Sequence, residues 1–179
     1  MRQALVRHPD FPCEAVAAIE VEAARPAARQ LVLEYRLSGM TGKLQLPRPA
    51  RGRVDGLWKH TCFEAFVQAA AADSYRELNC APSGQWAAYR FDGYREGMAN
   101  AAVEPPEVDV ARDGPGALVL RARWELDLPP DLAWRVGISA VIEEAGGRLS
   151  YWALKHPRGR PDFHDADCFA GELPAPDRP

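Results

Sequence analysis

Apolar and polar residues alternate with a period of two along much of this sequence. In the segment ALVLRARWELDL, one side of an extended chain carries only apolar residues: Leu118, Leu120, Ala122, Trp124, Leu126 and Leu128. The other side carries Arg121, Arg123, Glu125 and Asp127. Successive side chains of a β-strand point to opposite faces, so this segment predicts a strand with one buried face. The segment LVLEYRLSG repeats the pattern, with Leu31, Leu33, Tyr35 and Leu37 on its apolar side.

Other segments predict further strands and very little helix. AWRVGISAVIEEAGGRLSYWAL predicts two strands joined by a hairpin turn at residues 144–147, where Ala-Gly-Gly supplies the positive φ angles. Shorter strands are expected over residues 15–23, 61–69, 74–80 and 86–91. Only AAAAD and PPDLAW suggest helix, a single turn each. Eight or nine strands with short turns predict an all-β fold, a single-domain antiparallel β-sandwich of the jelly-roll type.

The length and composition fit one globular domain. The chain has 179 residues, of which 47% are hydrophobic and 26% are charged. These values are near the globular average and favour neither disorder nor a fibrous repeat. We predict one sandwich domain over residues 1–173, followed by a flexible tail over residues 174–179.

Charge, hydropathy and cysteine spacing exclude several classes of partner. The formal net charge is −3 and the basic residues form no run, so we expect no nucleic-acid partner. The N-terminus MRQALVRHPDFPCEAV contains no signal-peptide core, and no apolar run approaches the roughly 18 residues of a membrane span. We therefore expect a cytoplasmic protein without a membrane partner. The four cysteines form no CxxC pair and are expected to be free thiols. The excess of Arg over Lys and the many Ala residues suggest a GC-rich bacterial source.

No catalytic motif is present. SGMTGK has the wrong glycine spacing for a phosphate-binding loop, and Leu44 follows Lys43 where Ser or Thr is needed. The sequence contains no G-x-S-x-G, H-E-x-x-H or G-x-G-x-x-G motif. The prediction is a protein that is not an enzyme.

Strand alternation predicts a polar cluster in one sheet. Glu64 shares a face with Cys62, Phe66 and Gln68, while Glu77 and Asn79 share a face of the next strand. If these two strands pair, Glu64, Glu77 and Asn79 converge on one face. His60 lies about 13 Å from Glu64 on an extended chain, so a direct hydrogen bond between them is not expected.

The stretch SYWALKHPRGRPDFHDADCF offers two interpretations. Asp162, His164, Asp165 and Asp167 are donor types that could hold a divalent metal. Pro157, Gly159 and Pro161 instead favour a turn-rich loop in which Asp accepts backbone N–H bonds, which is the preferred interpretation. The aromatic residues near loops favour a ligand-binding rim: Trp58, Trp86, Tyr151, Trp152 and Phe163.

Three blocks carry a family resemblance: LWKHTCFEAFV, YRELNCAPSGQWAAYRFDGYREGM and SYWALKHPRGRPDFHDADCF. With them, the sequence resembles the DOMON-like domains of bacterial proteins, which are similar to family-nine carbohydrate-binding modules. The resemblance implies that Trp58 supplies an aromatic plate and Glu64 an acidic hydrogen-bonding group. It also implies polar contacts from Glu77 and Asn79, and a second aromatic plate from the loop with His156, Phe163 and His164. Thr61 stands where those modules have Asp.

Other DOMON domains bind b-type haem through Met with His or Lys. The resemblance therefore leaves a haem alternative, for which the candidate axial ligands are Met40, Met98, His60, His156 and His164. A metal-assisted enzyme using His60, His156 and His164 is a further alternative. A purely structural or interaction role also stays open.

The favoured hypothesis is a non-catalytic domain that binds a small polar ligand, a saccharide or sugar derivative, on a sheet face. Ring faces stack on sugar C–H groups, and carboxylate and amide groups replace the water around hydroxyls. No cofactor and no metal ligand are assigned. The predicted ligand-binding residues are Trp58, His60, Glu64, Glu77, Asn79, Trp152, His156, Phe163 and His164.

Overall fold

The computed structural model describes residues 1–176. Within them the chain forms fourteen β-strands and three single-turn 3-10 helices. The strands are β1 Arg2–Ala4, β2 Val6–Arg7, β3 Val16–Ala24, β4 Gln30–Gly39, β5 Gly52–Arg53, β6 Cys62–Ala69, β7 Tyr75–Cys80, β8 Gln85–Phe91, β9 Ala99–Asn100, β10 Glu107–Arg112, β11 Ala117–Glu125, β12 Trp134–Glu143, β13 Leu149–Ala153 and β14 Gly171–Leu173. The 3-10 helices span Thr41–Lys43, Leu57–Lys59 and Ala166–Cys168.

The strands form two sheets that pack as a β-sandwich. The five-stranded sheet has the order β1-β3-β4-β11-β10. The nine-stranded sheet has the order β2-β13-β12-β6-β7-β8-β5, with β14 beside β12 and β9 beside β8. The strand pairs are antiparallel except for the short β5–β8 pair. The predicted all-β antiparallel sandwich is confirmed.

The core between the sheets follows from the alternation. Leu118, Leu120, Ala122 and Trp124 of β11 are all buried in it, as are the alternate side chains of β4: Leu31, Leu33, Tyr35 and Leu37. The nine-stranded sheet contributes its own inward face, including Phe63, Ala65 and Val67 of β6. This apolar layer is the main source of stability in such a fold.

A second apolar cluster covers the outer face of the nine-stranded sheet. Phe66 of β6 and Tyr89 of β8 belong to it, and Leu57, Phe163 and Phe169 from connecting segments pack over them. Strand β6 is therefore buried on both faces. Side chains on its outer face lie beneath loops instead of facing bulk water.

The prediction was wrong about helix and incomplete about strands. AAAAD contains a turn in which Ala71 has φ +62, and PPDLAW forms only a turn before β12. The predicted hairpin is confirmed: β12 and β13 pair across a turn in which Gly146 and Gly147 have φ angles of +108 and +83. Most of the strands that were not predicted are two or three residues long. The predicted tail over residues 174–179 lies partly outside the described residues.

Two further sequence expectations bear on the described residues. No helix formed by residues 1–176 is long and apolar enough to cross a membrane. Cys13, Cys62, Cys80 and Cys168 are free thiols, as predicted.

Arg25 ties two loops together at one end of the sandwich. Its side chain is buried, and its guanidinium lies 3.7 Å from the centre of the Trp134 ring. It donates hydrogen bonds to the carbonyl oxygens of Ala28, Pro130 and Leu132 at 2.6–2.8 Å. A planar fork of donors is suited to several carbonyls at once.

Replacing Arg25 by Ala should lower the free energy of unfolding by about 3 kcal/mol, because three loop carbonyls lose a charged donor and the Trp134 ring loses its contact with the buried guanidinium. Arg25→Lys should recover less than half of this loss, since an ammonium cannot reproduce the fork. Urea-induced unfolding measures both effects. The exposed Arg29, replaced by Ala, serves as the control and should change stability by no more than about 0.5 kcal/mol. Equal stability of the Arg25→Ala and Arg29→Ala variants would contradict this role.

Candidate functional site

Glu64, Glu77 and Asn79 lie on the outer face of the nine-stranded sheet. Strands β6 and β7 pair antiparallel in a register that places Glu64 opposite Asn79 and Phe66 opposite Glu77. Directly opposed residues of such a pair project from the same face. The sheet register therefore brings together the three polar side chains that alternation predicted to converge.

These polar side chains are buried and incompletely paired. Glu64 is 3% exposed and Asn79 is fully buried. The Asn79 amide nitrogen Nδ2 donates to Glu77 Oε1 at 2.8 Å. Glu64 Oε1 and Asn79 Oδ1 have no hydrogen-bond partner, nor does Ser139 Oγ, whose residue lies opposite Glu64 on β12. A buried polar atom without a partner is costly, so this group is suited to accept hydrogen bonds from a ligand.

Burial changes the titration of both carboxyl groups. It raises the pKa of Glu64 well above its ordinary value, and the nearby Glu77 charge raises it further. Burial also raises the pKa of Glu77, against the opposing effect of the Asn79 hydrogen bond. Carboxyl groups with raised pKa values in a cleft are typical of functional sites.

A cavity of about 340 Å³ opens above Glu64 and Glu77. Aromatic rings form much of its wall: Trp58, Phe66, Phe91, Tyr151 and Phe163. Trp58 is 39% exposed, and its ring meets the Tyr89 ring edge-on with a centroid distance of 6.2 Å. The remaining lining residues are Arg95, Met98, Val141, Pro161, Asp162 and His164. We refer to this space as the Glu64 cavity.

His164 contributes a neutral ring to the cavity wall. Burial, with the Arg95 charge, lowers its pKa to about 4. Tyr75 OH lies 2.7 Å from Nδ1, and Glu77 Oε2 lies 3.6 Å from Nε2. The backbone N–H of Arg95 donates to the Tyr75 oxygen, which leaves the Tyr75 proton free for Nδ1. This arrangement favours the tautomer with hydrogen on Nε2, directed toward Glu77.

An ion pair holds two loops together at the cavity mouth. Arg95 Nη2 lies 2.7 Å from Asp162 Oδ1, and Tyr94 OH donates to the other carboxylate oxygen of Asp162. Although burial acts in the opposite direction, the Arg95 hydrogen bond lowers the pKa of Asp162. The positive charge of Arg95 is therefore neutralised by its ion pair with Asp162.

Five of the nine predicted site residues line the Glu64 cavity: Trp58, Glu64, Glu77, Phe163 and His164. Asn79 lies beneath it and orients Glu77. Three others, Trp152, His60 and His156, lie outside the cavity lining.

The structure places Trp152 away from the cavity. Its ring is 4% exposed in the core between the sheets, where Nε1 donates to Ser150 Oγ. Because adjacent strand residues face opposite sides, Tyr151 faces the cavity in its place.

The two other predicted histidines are engaged elsewhere. His60 is exposed and lies 2.7 Å from Glu143 Oε2. His156 Nε2 lies 2.8 Å from the carbonyl oxygen of Val6, and its ring packs against His8. The structure does not bring either histidine into the cavity lining, because a position near the loop does not determine where an imidazole points.

Sequence reasoning missed several lining residues. Phe66 was detectable, since it shares the Glu64 face of β6. Val141 and Tyr151 follow once β12 pairs with both β6 and β13. Arg95 and Met98 come from a loop, and no periodic signal places them there.

The metal and haem alternatives do not fit the side chains. Asp165 accepts from the Asp167 backbone N–H, Asp167 pairs with Lys155, and Asp162 pairs with Arg95. Among residues 1–176, no three His, Cys, Asp or Glu side chains form a group that could hold a metal. Met98 and His164 both line the cavity, but both ring nitrogens of His164 already face protein partners.

A larger cleft, of about 780 Å³, lies at the edge of the sandwich beside Trp86. Three of its six charged lining residues are in ion pairs: Arg121 pairs with Glu34, and Arg123 with Glu107. The Arg53 guanidinium donates through Nη2 and Nη1 to the carbonyl oxygens of Ala88 and Ala101, while its buried Nε has no partner. No unpartnered buried carboxylate lines this cleft, and we therefore assign the candidate site to the Glu64 cavity.

The fold is similar to solved structures of low sequence identity. One is a proposed carbohydrate-binding protein from Bacteroides uniformis, with a TM-score of 0.66 and 17% identity over 97% of this chain and 85% of that one. Two are structures of a family-nine carbohydrate-binding module from Caldicellulosiruptor kristjanssonii. Its glucose complex gives a TM-score of 0.53 and its cellotriose complex 0.54, each at 13% identity over 90% of this chain and 78% and 76% of the module. No protein-family model and no curated protein matches the sequence.

Glu64 should make stability depend on pH in a defined direction. The folded protein retains the Glu64 proton at pH values where the unfolded chain, with a pKa of 4.5, has lost it. The contribution of the Glu64 carboxyl to the free energy of unfolding is fully present below pH 4.5 and is lost as the pH rises through its folded pKa. As the pH rises above 4.5, the native protein should therefore lose stability relative to the neutral variant Glu64→Gln. The difference in free energy of unfolding should grow by up to about 1.4 kcal/mol per pH unit until the folded pKa is reached.

Urea unfolding of both proteins between about pH 5 and about pH 8 measures the difference. His164 acts in the other direction: its contribution is present above pH 6.5 and is lost as the pH falls toward about 4. The comparison removes that effect because both proteins contain His164. The exposed Glu125, replaced by Gln, is the control. Parallel stability profiles for native and Glu64→Gln protein would contradict a buried, unpaired carboxyl.

Proposed function

We propose that this protein is a non-catalytic domain that binds a saccharide in the Glu64 cavity. The observation that carries the proposal is a buried carboxylate oxygen without a partner, Glu64 Oε1, at the floor of a cavity walled by aromatic rings. Sugars present hydroxyl donors beside apolar C–H faces, and this combination complements such a floor and wall. The similarity in fold to modules solved with glucose and cellotriose supports the same proposal.

Each part of the cavity has a distinct task in this proposal. Glu64 and Glu77 accept hydrogen bonds from ring hydroxyls, and Asn79 holds Glu77 in position. Trp58, the most exposed ring, stacks on one face of the sugar. The cavity volume lies near the lower end of the about 300–1,000 Å³ range of ligand pockets, which favours one or two sugar rings.

The histidine chemistry favours binding over catalysis. His164 is the one imidazole among the residues that line the cavity, and both of its nitrogens face Tyr75 and Glu77. A general base needs a free nitrogen within hydrogen-bonding reach of the proton that it removes. We therefore assign His164 a place in the cavity wall, where Tyr75 orients its ring, and no proton-transfer role. A bound oligosaccharide should be recovered unchanged.

Trp58 provides a specific optical test. The other four tryptophans, Trp86, Trp124, Trp134 and Trp152, are buried in the core between the sheets. Glucose or cellotriose should therefore change the fluorescence of Trp58 alone. In Trp58→Phe the signal should vanish while calorimetry still detects binding, because a ring remains. In Trp58→Ala the affinity should fall about tenfold, or about 1.4 kcal/mol.

Leu132→Ala is the matched control, because Leu132 is 41% exposed and lies outside the cavity lining. It should leave both fluorescence and affinity unchanged. The proposal fails if neither calorimetry nor fluorescence detects binding across a panel of mono- and oligosaccharides. Cleavage of cellotriose by the purified protein would refute the non-catalytic assignment.

A further inference from the structure

We infer that the preferred ligand of the Glu64 cavity carries a positive charge, as the ammonium group of an amino sugar does. The inference rests on the proposed saccharide-binding function and specifies the class of sugar. It comes from three properties of the cavity: its charge balance, the hydrogen-bonding capacity of its floor and the rings of its wall.

When its carboxyl groups are ionised, the cavity lining carries more negative than positive charge. Glu64, Glu77 and Asp162 carry three carboxyl groups, whereas Arg95 is the one permanent cation in the lining. Arg95 is committed to Asp162 at 2.7 Å, and burial keeps His164 neutral at neutral pH, with a pKa of about 4. The ionised forms of Glu64 and Glu77 therefore lack a paired cation within the described residues. A buried charge is tolerated when a counter-ion accompanies it, and a cationic ligand supplies one.

The floor of the cavity needs donors. Glu64 Oε1, in a lining residue, is an acceptor without a partner. Beneath it, Asn79 Oδ1 on the opposite residue of β7 also lacks a partner. An ammonium group has three donors and no acceptor, whereas a hydroxyl has one donor and two acceptor lone pairs. An ammonium therefore complements clustered acceptors better than a hydroxyl of the same size.

The wall adds a second attraction for a cation. Trp58, Phe66, Phe91, Tyr151 and Phe163 surround the carboxylates with aromatic rings. The face of an aromatic ring is negative and attracts a cation, while a neutral hydroxyl gains little there. Rings combined with a buried carboxylate are a recurring arrangement for ammonium ligands.

Ligand binding should be linked to proton release from Glu64. The ionisable groups near Glu64 are Cys62 on its own strand, Glu77 on β7, Tyr151 on β13, and Arg95, Asp162 and His164 on loops. Asn79 and Ser139 lie opposite Glu64 on the adjacent strands, and Tyr35 OH donates to its backbone oxygen. In the free protein Glu64 can retain a proton; an ammonium ligand lowers its pKa and displaces that proton.

The test compares ligands that differ in charge. Calorimetry measures binding of glucose, N-acetylglucosamine and glucosamine at mildly acidic pH, where the glucosamine amine is protonated. Glucosamine should bind at least tenfold tighter than either neutral sugar. Heats in two buffers of different ionisation enthalpy should show proton release with glucosamine and not with glucose.

Variants test whether the carboxylates cause the selectivity. Glu64→Gln should reduce glucosamine affinity at least tenfold and affect glucose less, and the proton release should decrease. Glu77→Gln retains the oxygen that accepts from Asn79 and should also reduce the selectivity, which keeps the test valid if Glu64→Gln folds poorly. The exposed Glu125→Gln, on the five-stranded sheet, should leave all three affinities unchanged.

The outcomes separate this inference from the saccharide proposal. Equal affinities for glucose and glucosamine would overturn the inference and leave saccharide binding intact. If no sugar binds, the saccharide proposal fails, and cyclohexylmethylamine compared with cyclohexylmethanol decides the inference. Binding of cyclohexylmethylamine alone would support a site for a cationic ligand that is not a sugar. Equal binding of the amine and the alcohol, or binding of neither, would overturn the inference of a cationic ligand.

Discussion

The site depends on the antiparallel register between β6 and β7. That register places Glu64 opposite Asn79, and Asn79 in turn donates to Glu77. A shift of β7 by one residue would turn Glu77 and Asn79 away from Glu64 and into the core between the sheets, where their desolvation would have no compensation. The apolar residues on the inner face of β6, such as Phe63 and Val67, fix the register because they must face the five-stranded sheet.

Covering the outer face of the nine-stranded sheet turns an ordinary sheet surface into a cavity. An antiparallel sheet commonly has one solvated face, on which Glu64 and Glu77 would be hydrated carboxylates. Here the loops that contain Trp58, Arg95 and Phe163 enclose them. Enclosure raises the pKa values of the two glutamates and leaves acceptors without partners. The same burial that costs stability therefore produces the raised pKa values and free acceptors on which the proposed function rests.

The alternation of apolar and polar residues along the sequence explains which strands and site residues could be predicted. Alternation places Glu64, Glu77 and Asn79 on one face and predicts the long strands, because inward and outward residues differ clearly in polarity. It cannot choose between Tyr151 and Trp152, two adjacent aromatic residues, until the pairing of β13 with β12 is known. Strand β10, with the sequence EVDVAR, is an edge strand and carries charges among its apolar residues, so its pattern is weaker. The destinations of His60, His156 and Arg95 depend on loop paths that no local periodicity determines.

A crystal structure grown with a saccharide that binds in solution tests the central claim most directly. The account predicts ligand density between Trp58 and the floor of the Glu64 cavity, with a ligand donor within hydrogen-bonding distance of Glu64 Oε1. Density in the cleft beside Trp86, with the Glu64 cavity filled only by water, would contradict it.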